Sequence, residues 1–151
     1  MQQDFPPDRV LSQPLMADLA SGAPEGPRHS PLWFLWEEGA VFLVGSTRDS
    51  FIRRLQAEPR CALGVVEFDN AAGVLLHVGL RGRATVGPME TGRFRRLLAK
   101  YLGPDQAEWN PWFIREVARI DDPEGRMVRL TPDTIVCKDV SFFRTGPGLA
   151  S

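Results

Sequence analysis

The sequence predicts a mainly β protein with accessory helices, built around an antiparallel β-barrel. Five or six runs of strand-forming residues follow one another with only short turns between them. The alternation of strands and helices that is typical of a parallel sheet is missing. The longest run, residues 74–86, alternates apolar and polar side chains, and its glycines, Gly79 and Gly82, indicate the bend or bulge that a closed barrel needs.

Length and composition indicate one domain of ordinary globular character. We expect a single domain over residues 1–151, with the barrel at about 10–144 and loose tails at 1–9 and 145–151. The net charge is −1, and basic residues are scattered, which argues against a nucleic-acid surface. No apolar run approaches the roughly 20 residues that cross a bilayer, and no signal sequence is evident. We therefore expect a cytoplasmic protein without nucleic-acid or membrane partners.

The central segment, residues 28–66, is predicted to run strand, turn, strand, polar loop, short helix and strand. The apolar run 28–36 is broken by a Glu-Glu-Gly turn, and a second strand covers 40–44. After the polar loop 45–50, the apolar spacing of the next residues indicates a helix that ends before a proline. Residues 61–66 form the third predicted strand.

Four further elements are predicted in the C-terminal half. They are the strand at 74–86, an amphipathic helix at 91–102, a second helix from Trp109 to about residue 119, and a last strand region at 126–130 and 134–138 with a corner at 131–133. The basic residues of the first helix, Arg93, Arg95, Arg96 and Lys100, are expected on its solvated side.

The motifs of well-known active sites are absent. The chain has no GxSxG, HExxH, GxGxxG or phosphate loop, and its two histidines, His29 and His77, support no Ser-His-Asp triad. Cys61 and Cys137 each fall in a strand pattern, which predicts buried, reduced thiols. Without a CxxC pair or a histidine pair, no metal site is expected.

The loop before the first helix has the chemistry of an anion site. Three hydroxyl side chains precede a helix that carries two arginines: Ser46, Thr47, Ser50, Arg53 and Arg54. Hydroxyls, free backbone N–H groups and guanidinium groups at a helix N-terminus suit a phosphate. The alternative is that Asp49 or Ser50 caps the helix and that the arginines are surface charges.

The order of these motifs resembles the pyridoxamine-phosphate-oxidase-like family of flavin-binding split barrels. The resemblance covers most of the chain and rests on R-H-S-P-L-W-F at 28–34, S-T-x-x-S at 46–50, L-x-x-x-P-R at 55–60, V-x-L-x-G-x-A at 78–84 and R-L-T-P at 129–132. One position departs from the pattern. Members often carry a lysine two residues after the loop serine, and this chain has Ile52 there.

The resemblance implies an antiparallel split barrel that forms a homodimer, with a flavin at the subunit interface. It implies a short helix and then a first strand near Leu15–Ala20, joined to the central segment by a hairpin loop at 21–27. The Trp109–Phe113 cluster and the Ser141–Phe143 tail offer apolar surface for such a dimer. The same cluster could form a wall of the cofactor site, although such clusters more often anchor a helix to the body of the domain. Residues 139–144 are expected to reach towards the partner chain.

The resemblance also assigns roles to individual residues. The loop and helix would hold the flavin phosphate, with Arg53 or Arg54 as its charged partner. The flavin ring would lie beside the strand formed by His29, Ser30, Pro31, Leu32 and Trp33, although a plain core strand is the alternative reading of Trp33. His77 occupies the position of a glutamine that approaches the flavin in pyridoxamine phosphate oxidases, although a lone strand histidine is more often a surface residue.

From this resemblance we expect an FMN-binding oxidoreductase that acts on an unidentified small molecule. The alternatives are a non-catalytic protein that binds flavin or haem, and a deazaflavin-dependent reductase. Pyridoxamine phosphate oxidase activity itself is not expected, because the C-terminal residues SFFRTGPGLAS lack an arginine-rich motif for a substrate phosphate.

Overall fold

A computed structural model describes residues 3–118 and 122–142. Seven strands form one antiparallel sheet: β1 (Ala17–Ser21), β2 (Arg28–Leu32), β3 (Leu35–Glu37), β4 (Ala40–Ser46), β5 (Arg60–Asp69), β6 (Val74–Pro88) and β7 (Gly125–Asp139). The helices are α1 (Asp8–Leu11), α2 (Ser50–Ala57), α3 (Thr91–Leu102) and α4 (Pro111–Ala118), with a 3₁₀ turn at Gln106–Glu108. The sheet order is β2-β1-β5-β6-β7-β4-β3, and the sheet curls into a half-barrel. This architecture confirms the predicted fold class.

The split of the barrel lies between the edge strands β2 and β3, which are consecutive in the chain. Trp33 and Phe34 carry the backbone from one edge to the other. The prediction of one strand over 28–36 was therefore wrong, because the alternation of side chains stops where the chain leaves one partner strand for another. Phe34 is fully buried in the barrel core, whereas Trp33 packs against a separate cluster outside it.

The barrel core is completed by the two short helices. Phe51, Ile52 and Leu55 of α2 are buried among the inward side chains of the strands, and Val10 and Leu11 of α1 are fully buried. Burying one such aliphatic or aromatic side chain contributes about 1.5–3 kcal/mol to folding. The apolar side predicted for α2 therefore fixes the helix against the sheet.

A bulge at Gly82 bends the long hairpin of β6 and β7. The pairing register shifts between Arg81 and Gly82, and a Cβ on Gly82 would lie 2.0 Å from the Thr131 carbonyl oxygen. The predicted bend is confirmed at this glycine. The corner predicted at 131–133 was wrong, because the bulge accommodates Pro132 opposite Gly82 and β7 continues without interruption.

Both ends of the described chain are tied to the sheet. The expected loose tail at 1–9 was wrong for residues 3–9, since the Asp4 N–H donates to the Cys137 carbonyl at 2.9 Å and α1 follows directly. Residues 140–142 bond to the start of β6 and to the turn before it: the Val140 N–H donates to the Leu75 carbonyl at 2.9 Å, and the Phe142 N–H donates to the Gly73 carbonyl at 2.8 Å. The rest of the segment that we expected to reach a partner, residues 143–144, lies outside the described residues. The end of the second predicted helix at Arg119 and the tail 145–151 lie outside them as well.

Helix α3 is fixed to the outside of the barrel over β3 and β4. Leu97 and Leu98 pack there with Phe42, and Arg93 bridges the turn acids, with 3.1 Å to Glu37 and 2.6 Å to Glu38. The prediction that all four basic residues of α3 lie on a solvated face was therefore wrong: Arg93 is drawn to the acids at the turn between β3 and β4, and Lys100 donates to backbone carbonyls. Among the described helices, none has both the length and the apolarity needed to cross a bilayer.

Candidate functional site

A cleft lies between the split of the barrel and helices α3 and α4. It consists of two adjoining cavities of about 240 and 270 Å³, which share Val44, Phe94 and Glu116 in their walls. The first cavity is almost entirely apolar, and the second is lined by the polar loop after β4. We call the two together the helix-covered cleft. An apolar slot with polar groups at one end is the common form of a small-molecule site.

Flat aromatic side chains form the apolar wall of this cleft. The rings of Trp33 and Tyr101 stack at 4.5 Å and are within 2° of parallel, and Phe113 stacks on Trp33 at 5.7 Å. Trp112 meets Phe113 edge-on at 4.9 Å. Two residues predicted to lie beside a cofactor ring, Leu32 and Trp33, thus line a cavity that favours planar ligands.

Tyr101 and Lys100 of α3 fix the two residues that cross the split. The Tyr101 hydroxyl donates to the Leu15 carbonyl at 2.7 Å and accepts from the Phe34 N–H at 3.1 Å. The Lys100 ammonium donates to the carbonyls of Leu11 at 2.9 Å and Phe34 at 3.0 Å. Burial lowers the pKa of Lys100 to about 7. The sequence reading missed both roles, and the only signal was the position of Lys100 beside the apolar stripe of its helix.

Three donors of the predicted phosphate loop are already engaged, two of them by carboxylates. The Ser46 N–H donates to the Asp49 carboxylate at 2.7 Å, and the Thr47 N–H donates to the Glu124 carbonyl at 2.9 Å. The Thr47 hydroxyl donates to the Glu124 carboxylate. Asp49, considered as a helix cap, thus closes the loop instead, and Ser50 is exposed at the first turn of α2. A phosphate in this loop would lie beside carboxylates.

Arg54, unlike the donors of the loop, is surrounded by hydroxyl groups. Its Nε donates to the Ser21 hydroxyl at 2.9 Å, and its Nη2 donates to the Ser30 hydroxyl at 3.3 Å. Within residues 3–118 and 122–142, Arg54 forms no ion pair with any carboxylate. We call Arg54, Ser21 and Ser30 the Arg54 cluster.

The Arg54 cluster joins two predicted site residues, Ser30 and Arg54, with a third that the sequence reading missed. Ser21 is 4% exposed and takes the inward position that follows Ala17 and Leu19 in β1. That break in an otherwise apolar alternation was the signal that could have found it. Arg53 is exposed whereas Arg54 is half-buried, so the two neighbouring arginines have different surroundings.

The family's lysine position is part of the barrel core here. Ile52 is fully buried, and Phe51 next to it is 7% exposed. A Cβ on Gly45 would lie 2.7 Å from the Phe51 ring and 2.9 Å from Ile52, so both side chains pack directly on the loop backbone. No cation is available at this position, which leaves Arg54 as the half-buried cation of α2.

The remaining predicted residues lie on the outer face of the sheet. His29 Nδ1 lies 3.0 Å from the Asp18 carboxylate, and Pro31 is paired with Asp18 on the same face. The His77 ring lies over Gly79, which pairs with Gly64 of β5. These small residues leave a shallow hollow of about 300 Å³ next to His77. The eleven predicted residues therefore lie in four places. Leu32 and Trp33 line the cleft, and Ser46, Thr47 and Ser50 belong to the loop. Arg53 and Arg54 belong to α2, where Arg54 donates to Ser30, and His29, Pro31 and His77 lie on the outer face.

Comparisons with known proteins find similarity in three dimensions only. No family model matches the chain, and no curated protein matches it. Among solved structures, an F420 reductase has a TM-score of 0.66 at 22% identity, covering 89% of this chain and 98% of that one. A conserved hypothetical protein from Mycobacterium tuberculosis has a TM-score of 0.73 at 17% identity, covering 92% and 89%. HutZ, the haem storage protein from Vibrio cholerae, has a TM-score of 0.65 at 13% identity, covering 95% and 97%.

The three neighbours share one architecture although their names differ. Their alignments extend over most of this chain and most of their own, so the likeness concerns the whole sheet and its helices. At these identities the likeness establishes a fold and leaves activity open. The chain has the FMN-binding split-barrel fold of the pyridoxamine-phosphate-oxidase-like proteins.

Proposed function

We propose that the protein is a flavin-binding oxidoreductase that acts on a small molecule, with FMN as its cofactor. The observation that carries the proposal is the Arg54 cluster. A half-buried guanidinium that is oriented by two hydroxyls and has no carboxylate beside it in the described residues is suited to an anionic group. The flavin supplies the electron chemistry when bound, and the protein supplies anchoring and orientation.

Different parts of the chain suit the phosphate and the ring of a flavin. The Arg54 cluster would hold the phosphate, and the adjoining β2 would run beside the ring. Because β2 is an edge strand, the backbone groups on its free side are available as hydrogen-bond donors and acceptors. Pro31 removes one donor from that strand. The helix-covered cleft begins where β2 ends, at Leu32 and Trp33, and would admit a second molecule.

The names of the structural neighbours support this choice of cofactor class. Besides the F420 reductase, they include a FAD-binding protein from Mesorhizobium loti, with a TM-score of 0.62 at 18% identity. A deazaflavin is the closest alternative to FMN within the proposal, since it presents a similar planar ring and an anionic tail.

The proposed active form is a cytoplasmic homodimer with the flavin at the subunit interface. The outer face offers a hollow floored by Gly64 and Gly79, and nearby Val66 and Phe68 are 45% and 58% exposed. Exposed apolar side chains beside a flat, small-residue surface favour burial against a partner. Two buried free thiols, Cys61 and Cys137, are in keeping with a reducing compartment.

Absorption spectroscopy tests the function directly. We expect the purified protein, loaded with FMN, to retain the paired flavin bands on gel filtration and to lose them on anaerobic addition of an electron donor. Reoxidation by oxygen or by an acceptor should restore the bands. A protein that never retains FMN, F420 or FAD would contradict the proposal.

Sedimentation tests the dimer. We expect about twice the chain mass at micromolar concentration, and a monomer for Ala62→Arg, which places a long cation in the hollow. The matched control is Glu108→Arg, which adds a cation at an exposed position outside the hollow. A wild-type monomer that binds FMN tightly would exclude the shared site.

Haem binding without turnover is the second candidate, and it is favoured by His77. No group in the described part of the chain hydrogen-bonds to this imidazole, and the two glycines beneath it leave room for a planar ligand. Haem titration with wild type and with His77→Leu decides between the two. A Soret band that shifts in wild type and is lost in the variant would support haem, whereas flavin bands that persist in both would support the flavin proposal.

A further inference from the structure

We propose that the outer face of strands β5, β6 and β7 binds an anion that carries two or more linked phosphate groups. Three arginines form the site: Arg60, Arg83 and Arg129, which we call the outer arginine cluster. The inference goes beyond the proposed function, because the site uses none of the residues that would hold the flavin.

Strand pairing brings these arginines together although they are far apart in the sequence. Arg60 of β5 is directly opposite Arg83 of β6. Arg129 of β7 is opposite Thr85, two residues along β6, and is therefore the diagonal neighbour of Arg83. Thr131 of β7 is directly opposite Arg83. All five side chains are exposed at outward positions, where opposite residues are about 5 Å apart and diagonal neighbours about 7–8 Å.

The described acids leave this cluster positively charged. Glu58 bonds to Arg60, whereas the side chains of Arg83 and Arg129 form no hydrogen bond or ion pair within residues 3–118 and 122–142. Asp133, the exposed acid at the neighbouring bulge of β7, forms no ion pair with them. Because like charges directly opposite each other on a sheet are destabilising, an anion between Arg60 and Arg83 would be favoured.

A cavity of about 230 Å³ adjoins the cluster at Arg129. Its wall includes Thr85, Arg129 and Glu90. Glu90 forms an ion pair with Arg93 at 3.5 Å, so this acid is already engaged by another guanidinium. The Arg129 guanidinium carbon lies 5.5 Å from the centre of the Phe42 ring, a cation–π contact that restrains its position. The surface therefore offers room for a ligand beside an oriented guanidinium and a hydroxyl.

Linked phosphate groups match the chemistry of this surface. Guanidinium groups bind phosphate oxygens in a bidentate manner, and the threonine hydroxyls can donate further hydrogen bonds to them. A single phosphate is too small to meet arginines that are spread over three strands, whereas linked phosphates distribute their charges over a comparable span. The ligand class is therefore an oligophosphate, either free or as part of a nucleotide.

The outer arginine cluster is distinct from the sites already described. Ser21 of the Arg54 cluster is an inward residue of β1, whereas the three arginines are exposed on the other face of the sheet. The hollow next to His77 lies further along β6 and has Arg81, but none of the three, in its wall. A ligand of the cluster would therefore occupy neither the flavin site nor the floor of that hollow.

Calorimetric titration of the FMN-saturated protein with tripolyphosphate tests the inference, because FMN fills the proposed flavin site first. We expect Arg83→Gln and Arg129→Gln each to weaken tripolyphosphate binding about tenfold or more. Arg95→Gln is the matched control, since Arg95 of α3 is exposed, and it should bind tripolyphosphate as wild type does. No binding by wild type would overturn the inference, and so would an equal loss in the control.

Thermal unfolding gives a second readout at constant ionic strength. Tripolyphosphate should raise the wild-type Tm, and Arg83→Gln should lose most of that rise. A rise that sulfate reproduces at the same ionic strength would show general screening of charge and would overturn the site.

Two further ligands distinguish the sources of linked phosphates. Binding of ADP more tightly than pyrophosphate would assign the cluster to a nucleotide, and equal binding would assign it to a free oligophosphate. A single-stranded oligonucleotide that binds more tightly than either would overturn the assignment to a small ligand.

The outcome for the cluster is separable from that for the proposed function. FMN that binds to a protein with no affinity for tripolyphosphate would refute the cluster and leave the function standing. If the protein retains no flavin, the same titrations without FMN decide the cluster alone.

Discussion

Two regions of the molecule bring hydroxyl groups to the loop and helix that the sequence predicts to hold a phosphate, and their charge environments are opposite. In the loop 45–50, the N–H groups of Ser46 and Thr47 and the Thr47 hydroxyl donate to Asp49 and residue 124. In the Arg54 cluster, two serine hydroxyls accept from a guanidinium that no described carboxylate contacts. The comparison teaches that hydroxyls near a helix start do not define an anion site, since the neighbouring charges decide what those hydroxyls can bind.

The largest effect is expected from removing the Arg54 guanidinium, which tests whether this residue holds the phosphate. We expect Arg54→Ala to weaken FMN binding by about 1.5–3 kcal/mol for each lost charged hydrogen bond, which is on the order of tenfold or more. Riboflavin, which lacks the phosphate, should bind variant and wild type alike. Fluorescence titration with both ligands measures the difference.

Arg53→Ala is the matched control for this experiment, because Arg53 is the neighbouring residue and is exposed. An Arg53→Ala variant that loses more FMN affinity than Arg54→Ala would show that the phosphate lies on the other side of the helix.

A second prediction concerns the loop itself. Asp49→Ala removes the carboxylate that accepts from the Ser46 N–H at 2.7 Å, so we expect the free energy of unfolding to fall by about 1 kcal/mol. FMN affinity should change by less than about twofold, because the proposed phosphate site lies elsewhere. Urea unfolding and FMN titration measure the two effects. A tenfold change of affinity in either direction would place the phosphate in the loop after all.

A third prediction concerns Lys100, which, like Arg54, forms no ion pair among the described residues. Its folded-state pKa of about 7 lies below the ordinary value of 10.5, so the unfolded chain binds more protons between these two values. The free energy of unfolding should therefore rise with pH from about 7 upwards. In Lys100→Met this rise should be smaller, and urea unfolding at about pH 7.5 and about pH 9 measures it.

The upper limit of that pH range is set by three other groups. Burial raises the pKa of Cys61 to about 11, and it raises the pKa values of Cys137 and Tyr101 as well. Their folded forms hold protons that the unfolded chain has released, so above about pH 9 they lower stability as pH rises. A wild-type slope equal to that of Lys100→Met below that limit would mean that Lys100 is protonated alike in both states.

Much of the fold could be predicted from local sequence patterns. The alternation in residues 74–86 and the helical spacing in 91–102 reflect which side chains face the core, and both elements are present with nearly the predicted bounds. The break at Trp33–Phe34 could not be predicted in this way. Both residues suit a strand, and only the pairing of β2 with β1 and of β3 with β4 separates them.

The sequence by itself determined the fold class, the apolar faces of the helices and the residue types available for an anion site, since these depend on spacing and composition along the chain. Only the tertiary structure decided which of those residues meet. It brings Ser21 and Ser30 to Arg54 through the pairing of β1 with β2, and it brings Glu124 to Thr47 across 77 residues of chain. Groups distant in sequence become neighbours only when the chain folds. The interaction energy of charged groups depends on their distance in space, which the sequence alone does not give.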